Sequence, residues 1–84
     1  MKKGVCGSLE SSDCLITVED AEKTEILIES SVYQFYGEQI RKVIETTLAE
    51  AGRAHVRVSC VDRGALDCTI RARLLTALSR MAEK

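Results

Sequence analysis

The chain has 84 residues, 45% of them hydrophobic and 30% charged, with no Trp, no Pro, one His, and 12 basic residues against 13 acidic ones. A chain this short is expected to form a single domain (1–84) that buries only about 60–65% of the surface its unfolded form exposes, which leaves little room for an enclosed substrate pocket. The composition argues against disorder, the charge balance lacks the basic excess of a nucleic-acid binder, and no apolar run nears the roughly 18 residues of a membrane span.

Met1-Lys2-Lys3 leads into Gly4, Gly7, Ser8 and Glu10 rather than an apolar signal core, so a cytoplasmic chain with no nucleic-acid or membrane partner is expected. Residues 5–9 read as a weak edge strand because Gly4 and Gly7 interrupt them. In Cys14-Leu-Ile-Thr-Val18, Cys14, Ile16 and Val18 share one strand face, and in Glu25-Ile-Leu-Ile-Glu29 so do Ile26 and Ile28. With the polar turn 19–24 between them, the two runs predict a hairpin.

After Ser30 the period changes from two to 3.6. Ser31 and Gln34 have the spacing of a capping box. Tyr36, Ile40, Val43, Ile44, Thr47, Leu48 and Ala51 form an amphipathic stripe, and Gly52 suits its left-handed cap. Gly37 marks either the start of this helix or a break in it. Residues 55–61 alternate again, with Val56, Val58 and Cys60 inward, and Asp62-Arg63-Gly64 makes a turn.

Residues 65–74 fit both periods, but Leu66, Ile70, Leu74, Ala77, Leu78 and Met81 continue as a helical stripe rich in helix formers, so a helix is expected. The fold class is therefore α+β: a small antiparallel sheet of three to four strands with two helices packed on one face.

Charge is unevenly distributed. From residue 10 to 29 seven acids face a single Lys23, whereas from 62 to 84 five bases face three acids. These are either solvated faces that complement one another or an acidic surface that steers a larger partner. Cys6, Cys14, Cys60 and Cys68 lack C-x-x-C spacing, and His55 cannot complete a two-Cys, two-His zinc set, so the thiols are expected to pack as small hydrophobes and no metal is expected. His55 begins a strand with no nucleophile at motif spacing, and the glycines form no phosphate-binding loop. No catalytic set emerges. Ser11 and Ser12 lie in a turn flanked by Glu10 and Asp13, residue types that favour turns for structural reasons, but an exposed hydroxyl there is also a covalent attachment point.

Gly7-Ser-Leu-Glu-Ser-Ser-Asp13 and Val61-Asp-Arg-Gly-Ala-Leu-Asp-Cys-Thr-Ile-Arg-Ala-Arg73 resemble the acyl carrier protein (gamma chain) family of citrate lyase, and Ser30-Ser-Val, Phe35, Gly37 and Ile40-Arg41 extend the likeness between them. The resemblance spans residues 7–80 and implies a non-catalytic carrier. It places the prosthetic group 2'-(5''-phosphoribosyl)-3'-dephospho-CoA, held through a phosphodiester, on Ser11 rather than Ser12, since the second serine position is often Gly in the family.

The implied partners are an alpha subunit that exchanges acetyl for citrate on the prosthetic thiol, a beta subunit that cleaves the citryl thioester to oxaloacetate, and a prosthetic-group transferase. The carriers of citramalate lyase and malonate decarboxylase are related alternatives. From other classes come a small interaction module, in which the turn at 9–13 is only structural, and a metal-binding module built on the cysteines.

Overall fold

The computed structural model describes residues 2–31 and 33–82. The chain runs through β1 (Lys3–Gly7), β2 (Cys14–Asp20), β3 (Glu25–Ser30), α1 (Tyr33–Ala51), β4 (Val56–Asp62) and α2 (Asp67–Ala82). The strands form one sheet in the order β1-β2-β4-β3. Cys14, Ile16 and Val18 of β2 and Val56, Val58 and Cys60 of β4 all point inward, as their alternation requires. Both helices lie over that face: α2 packs on β1 and β2, α1 on β3 and on α2. Ile40, Ile44 and Leu48 of α1 and Ile70, Leu74, Ala77, Leu78 and Met81 of α2 complete the core.

The four strands and two helices on one face are as expected, but the pairing differs in one respect. β2 and β3 do not form a hairpin. β4 lies between them, antiparallel to β2 and parallel to β3, so the sheet is mixed rather than wholly antiparallel. The strands' own chemistry sorts them. β4 carries three fully buried apolar side chains and takes a central place. In β3, Ile26 and Ile28 are only half-buried, and Glu25 and Glu29 flank them, which suits an edge. Helix α1 carries the chain over the sheet from β3 to β4, the connection a parallel pair needs.

The hairpin is instead β1–β2, with Cys6 opposite Ile16 and Gly7 opposite Leu15. The first strand thus ends at Gly7, and Leu9, assigned to it from sequence, stands exposed in the loop. Gly4 lies directly against α2, where a Cβ would run into the Ala77 carbonyl and the Met81 amide.

Gly37 neither starts nor breaks α1. It is buried inside the helix beneath the Tyr33 ring, which a Cβ would strike. The capping pair Ser31 and Gln34 flanks Val32, which lies outside the described residues. At the other end Gly52 adopts φ +66°, and its amide bonds the Ala49 carbonyl while Arg53 N–H reaches Leu48 O; these are the two bonds of a Schellman cap. Tyr36 and Ala51, placed on the buried stripe by period, are exposed. β4 starts one residue later than its alternation suggests, because His55 takes φ +60°. The ambiguous segment 65–74 becomes helix from Asp67, with Leu66 left outside and exposed.

Of the four cysteines, Cys6, Cys14 and Cys60 are buried, while Cys68 is exposed on the first turn of α2. All four are free thiols. Cys14 and Cys60 hydrogen-bond one another, and that bond together with burial pushes the Cys60 thiol far above its ordinary range. The pair packs as apolar filler. No helix among the described residues is long and apolar enough to cross a membrane, and no group of three His, Cys, Asp or Glu side chains among them could hold a metal ion.

Candidate functional site

The loop joining β1 to β2 carries Ser8 and the adjacent pair Ser11 and Ser12. Ser8 N–H donates to Cys14 O at 3.2 Å and closes the hairpin, and Asp13 N–H donates to Glu10 O at 3.2 Å and closes a four-residue turn. Ser11 and Ser12 are the two central residues of that turn. Ser12 has φ 65°, whereas Ser11 keeps an ordinary negative φ, the signature of a type II turn, whose third position favours glycine. Both serines are exposed, and the Ser11 hydroxyl has no hydrogen-bond partner among the described residues.

Asp13 organises the base of the loop. Its Oδ2 accepts Ser8 Oγ at 2.7 Å and Arg73 Nη2 at 2.9 Å, and its Oδ1 accepts Cys14 N–H at 2.7 Å and Arg73 Nε at 3.0 Å. Arg73 therefore reaches from α2 to grip the carboxylate with two prongs of its fork. Ser8 Oγ in turn accepts Glu10 N–H at 3.2 Å. The Arg73 hydrogen bonds, followed by those from Ser8 and Cys14, pull the Asp13 carboxyl from its ordinary 3.8 down to about 2.

The linkage sign follows from that shift. A carboxyl with a folded-state value below its unfolded one stabilises the fold above about pH 4 and loses that contribution as pH falls toward 2. Wild type is therefore expected to lose stability more steeply between pH 4 and 2 than Asp13→Asn, as measured by urea midpoints at stepped pH.

A second clamp comes from the end of β4. Ser12 N–H donates to Arg63 O at 2.8 Å and Arg63 N–H donates to Asp13 O at 2.9 Å, prolonging the β2–β4 ladder into the turn. Asp62, only 2% exposed, fixes Arg63's own loop. Its carboxylate accepts Ser30 Oγ at 2.9 Å, Gly64 N–H at 3.2 Å and Ala65 N–H at 3.0 Å. The two segments that carried the family resemblance, 7–13 and 61–73, thus form one contiguous site. Beyond Gly64 the same loop becomes one wall of an open groove of about 750 Å³, with Tyr36 and Ile40 of α1 opposite Ala65 and Leu66. Phe35, 76% exposed, stands on the neighbouring turn of α1.

The arrangement brings Ser11, Asp13, Arg63 and Arg73 together and leaves His55 out. His55 is exposed at the opposite end of β4, where its Nδ1–H donates to Glu22 O at 2.7 Å and its amide to Thr24 Oγ1, closing the 21–24 loop. Part of the acidic stretch is neutralised within the fold, since Arg57 lies 3.4 Å from both Glu19 and Glu25. Sequence reading missed the Asp13–Arg73 pair because no local pattern links residues 60 positions apart. The inward place of Asp62 was readable, because it continues the alternation of Val56, Val58 and Cys60.

The model of the ACP family described as "Malonate decarboxylase delta subunit (MdcD)" matches residues 1–81. A citrate lyase acyl carrier protein of Streptococcus mutans is 52% identical over 81 residues, covering 94% of this chain and 79% of that relative. One from Treponema denticola is 43% identical over 83 residues, covering 99% of this chain and 95% of that relative. Among solved structures, a Pseudomonas malonate decarboxylase hetero-tetramer contains a chain with the same fold at a TM-score of 0.83, with 18% identity over 95% of this chain and 84% of that one. The motifs at 7–13 and 61–73 therefore carry a genuine kinship, and the chain belongs to the acyl carrier proteins of the citrate lyase and malonate decarboxylase kind.

Proposed function

We propose that this chain is the acyl carrier subunit of a citrate lyase and that Ser11 is its point of covalent loading with 2'-(5''-phosphoribosyl)-3'-dephospho-CoA. One observation carries the assignment of the serine. In a loop whose backbone is clamped by Asp13, Arg73 and Arg63, Ser11 is the corner residue with an ordinary negative φ and an exposed hydroxyl with no partner to surrender, whereas Ser12, whose hydroxyl is also exposed, has a left-handed φ and an amide bonded to Arg63 O. Ser12 sits at the left-handed position, where the side chain is dispensable. The residues fit a phosphodiester: an unengaged hydroxyl accepts it without breaking any bond of the turn, and Arg63, just past the end of β4, is bonded through its backbone to the two residues that follow Ser11.

When bound, the group supplies the thiol on which an acyl chain rides as a thioester. The chain itself contributes no acid or base. Residues 1–84 act as one carrier domain whose clamped turn gives the tethered thiol a fixed origin, so that its effective concentration at each partner's active site is set by the tether. The partners in this reading are the acyl-exchanging alpha subunit, the cleaving beta subunit and the prosthetic-group transferase, in a cytoplasmic complex. The citrate lyase reading is preferred to the malonate decarboxylase one because relatives at 43–52% identity bear the former name, against 18% for the latter's structure.

Intact mass of the protein produced together with its own prosthetic-group enzymes tests the reading. Wild type is expected to carry the adduct, Ser11→Ala to carry none, and Ser12→Ala and Ser12→Gly to carry it fully. Ser12→Gly should also gain about 1 kcal/mol of stability, since relief of about 1–2 kcal/mol of left-handed strain exceeds about 0.4–1 kcal/mol of added unfolded-state freedom. An adduct retained on Ser11→Ala overturns the assignment.

A further inference from the structure

Beside the proposed attachment serine stands an arginine with a locked backbone and an unengaged head. Arg63 donates its N–H to Asp13 O at 2.9 Å and accepts Ser12 N–H at 2.8 Å on its carbonyl, so its Cα is held against the two residues that follow Ser11. Its side chain is exposed and has no hydrogen bond or ion pair among the described residues. The other arginines of the same region are committed: Arg71 to Glu50 at 3.0 Å, Arg73 to Asp13 at 2.9 Å, Arg80 to the Val5 carbonyl at 2.8 Å. Asp13 and Asp62, the acids that flank this backbone seam, are accounted for as well, while Glu10 is exposed on the turn. Asp13 is saturated by Arg73, Ser8 and Cys14, and Asp62 by Ser30, Gly64 and Ala65.

Paired strands hold facing Cα atoms about 4.5–5.5 Å apart, and each further residue along the turn adds at most about 3.8 Å. Ser11 lies two residues before Asp13, so a phosphate on it and the Arg63 guanidinium share the same end of this seam. We propose that Arg63 is the phosphate-binding residue of the attachment site, its planar fork holding the phosphodiester oxygens once Ser11 is loaded.

The proposal rests on the reading of Ser11 as the loaded residue. It gives a physical reason for a free cation at this point. A new anion on Ser11 enters a loop that already carries Glu10 and the ionised Asp13, and guanidinium geometry matches a phosphate better than any lysine does. Only the side-chain rotamers of Arg63 need ordering, because its backbone is already fixed.

The test compares unloaded and loaded protein, with loading at Ser11 first established by intact mass and peptide mapping. In nitrogen-15 spectra the Arg63 Nε–H signal is expected to move on loading, and to return toward its unloaded position as salt is raised from low to molar concentration. In phosphorus-31 spectra the phosphodiester signal is expected to shift in Arg63→Gln and to shift less in Arg63→Lys. Unloaded Arg63→Gln keeps both backbone bonds and should match wild type in thermal midpoint, which separates loss of phosphate binding from loss of fold. An Arg63 signal identical in loaded and unloaded protein, or a phosphorus signal unmoved by Arg63→Gln, overturns the proposal while leaving Ser11 loading intact. A chain with no adduct on Ser11 overturns the attachment reading and the role of Arg63 together, and the mass reports it before any spectrum is taken.

Discussion

Gly4→Val is expected to cost at least about 3 kcal/mol and to leave a large part of the chain unfolded in mild urea. A domain of this length holds about 4–13 kcal/mol in total. The reason lies in what the substituent meets. At Gly4 even a single Cβ would overlap backbone atoms of α2, the Ala77 carbonyl and the Met81 amide, and backbone cannot rotate out of the way as a side-chain tip does. The helix must lift from the sheet, exposing Ala77 and Met81, both fully buried, and stretching the Arg80 bond to the Val5 carbonyl. Overpacking alone costs about 1–3 kcal/mol, and the branched side chain adds to it.

Gly52→Ala supplies the contrast, because its Cβ meets nothing and it bears only the left-handed penalty of about 1–2 kcal/mol. Urea midpoints of the two variants at a common m-value measure the difference. Lifting α2 also withdraws Arg73 from Asp13, so Gly4→Val protein that remains folded is expected to load more slowly at Ser11. A Gly4→Val midpoint equal to that of Gly52→Ala would mean that β1 slides at no cost and that the helix does not fix the loop.

How far the residues announced this structure depends on the range of the interaction. Strand faces and helix stripes are local, with periods of 2 and 3.6, and Cys14, Ile16, Val18, Val56, Val58, Cys60, Ile70, Leu74 and Met81 all lie inward as those periods demand. The neighbour of β3 was not legible. Ile26 and Ile28 alternate equally well against β2 or β4, and only the burial demanded by β4 decides between them. The exposure of Tyr36 and Leu66 was hidden for a related reason: both fall on the right period, but Tyr36 in the first turn of α1 and Leu66 just before α2 line the open groove instead of the core.

At the candidate site the position of Ser11 in a turn was readable from its Ser, Glu and Asp neighbours. The grip of Arg73 on Asp13 was not, and neither was the seam with Arg63, because each depends on two segments about 50 to 60 residues apart meeting in three dimensions. Family resemblance reached those segments separately without indicating that they touch.

Asp62→Ala is expected to lower stability by about 2–4 kcal/mol and to slow loading of an intact Ser11. The carboxylate is 2% exposed and serves three donors: Ser30 Oγ at the end of β3 and the amides of Gly64 and Ala65 in the loop. Truncation deprives the Gly64 and Ala65 amides of this acceptor and takes one bond from Ser30, and each part-buried polar group left unmet costs about 1–3 kcal/mol, less what entering water recovers. Asp62→Asn keeps one of the two acceptor oxygens, that of Ala65 or that shared by Gly64 and Ser30, so roughly half of that loss is expected.

The two effects have a common route. Arg63 follows Asp62 directly, and its backbone holds Ser12 and Asp13; once the Gly64–Ala65 turn loosens, the seam that orients Ser11 loosens with it. Loading rate at a temperature where every variant is folded, set beside the urea midpoint, separates this route from simple unfolding. Ser11→Ala removes the adduct with little change in stability, whereas Asp62→Ala slows loading in proportion to loop opening, seen as faster exchange of the Ser12 and Arg63 amides. If those amides exchange as in wild type while stability falls, Asp62 supports the core alone and the turn owes its shape to Asp13 and Arg73.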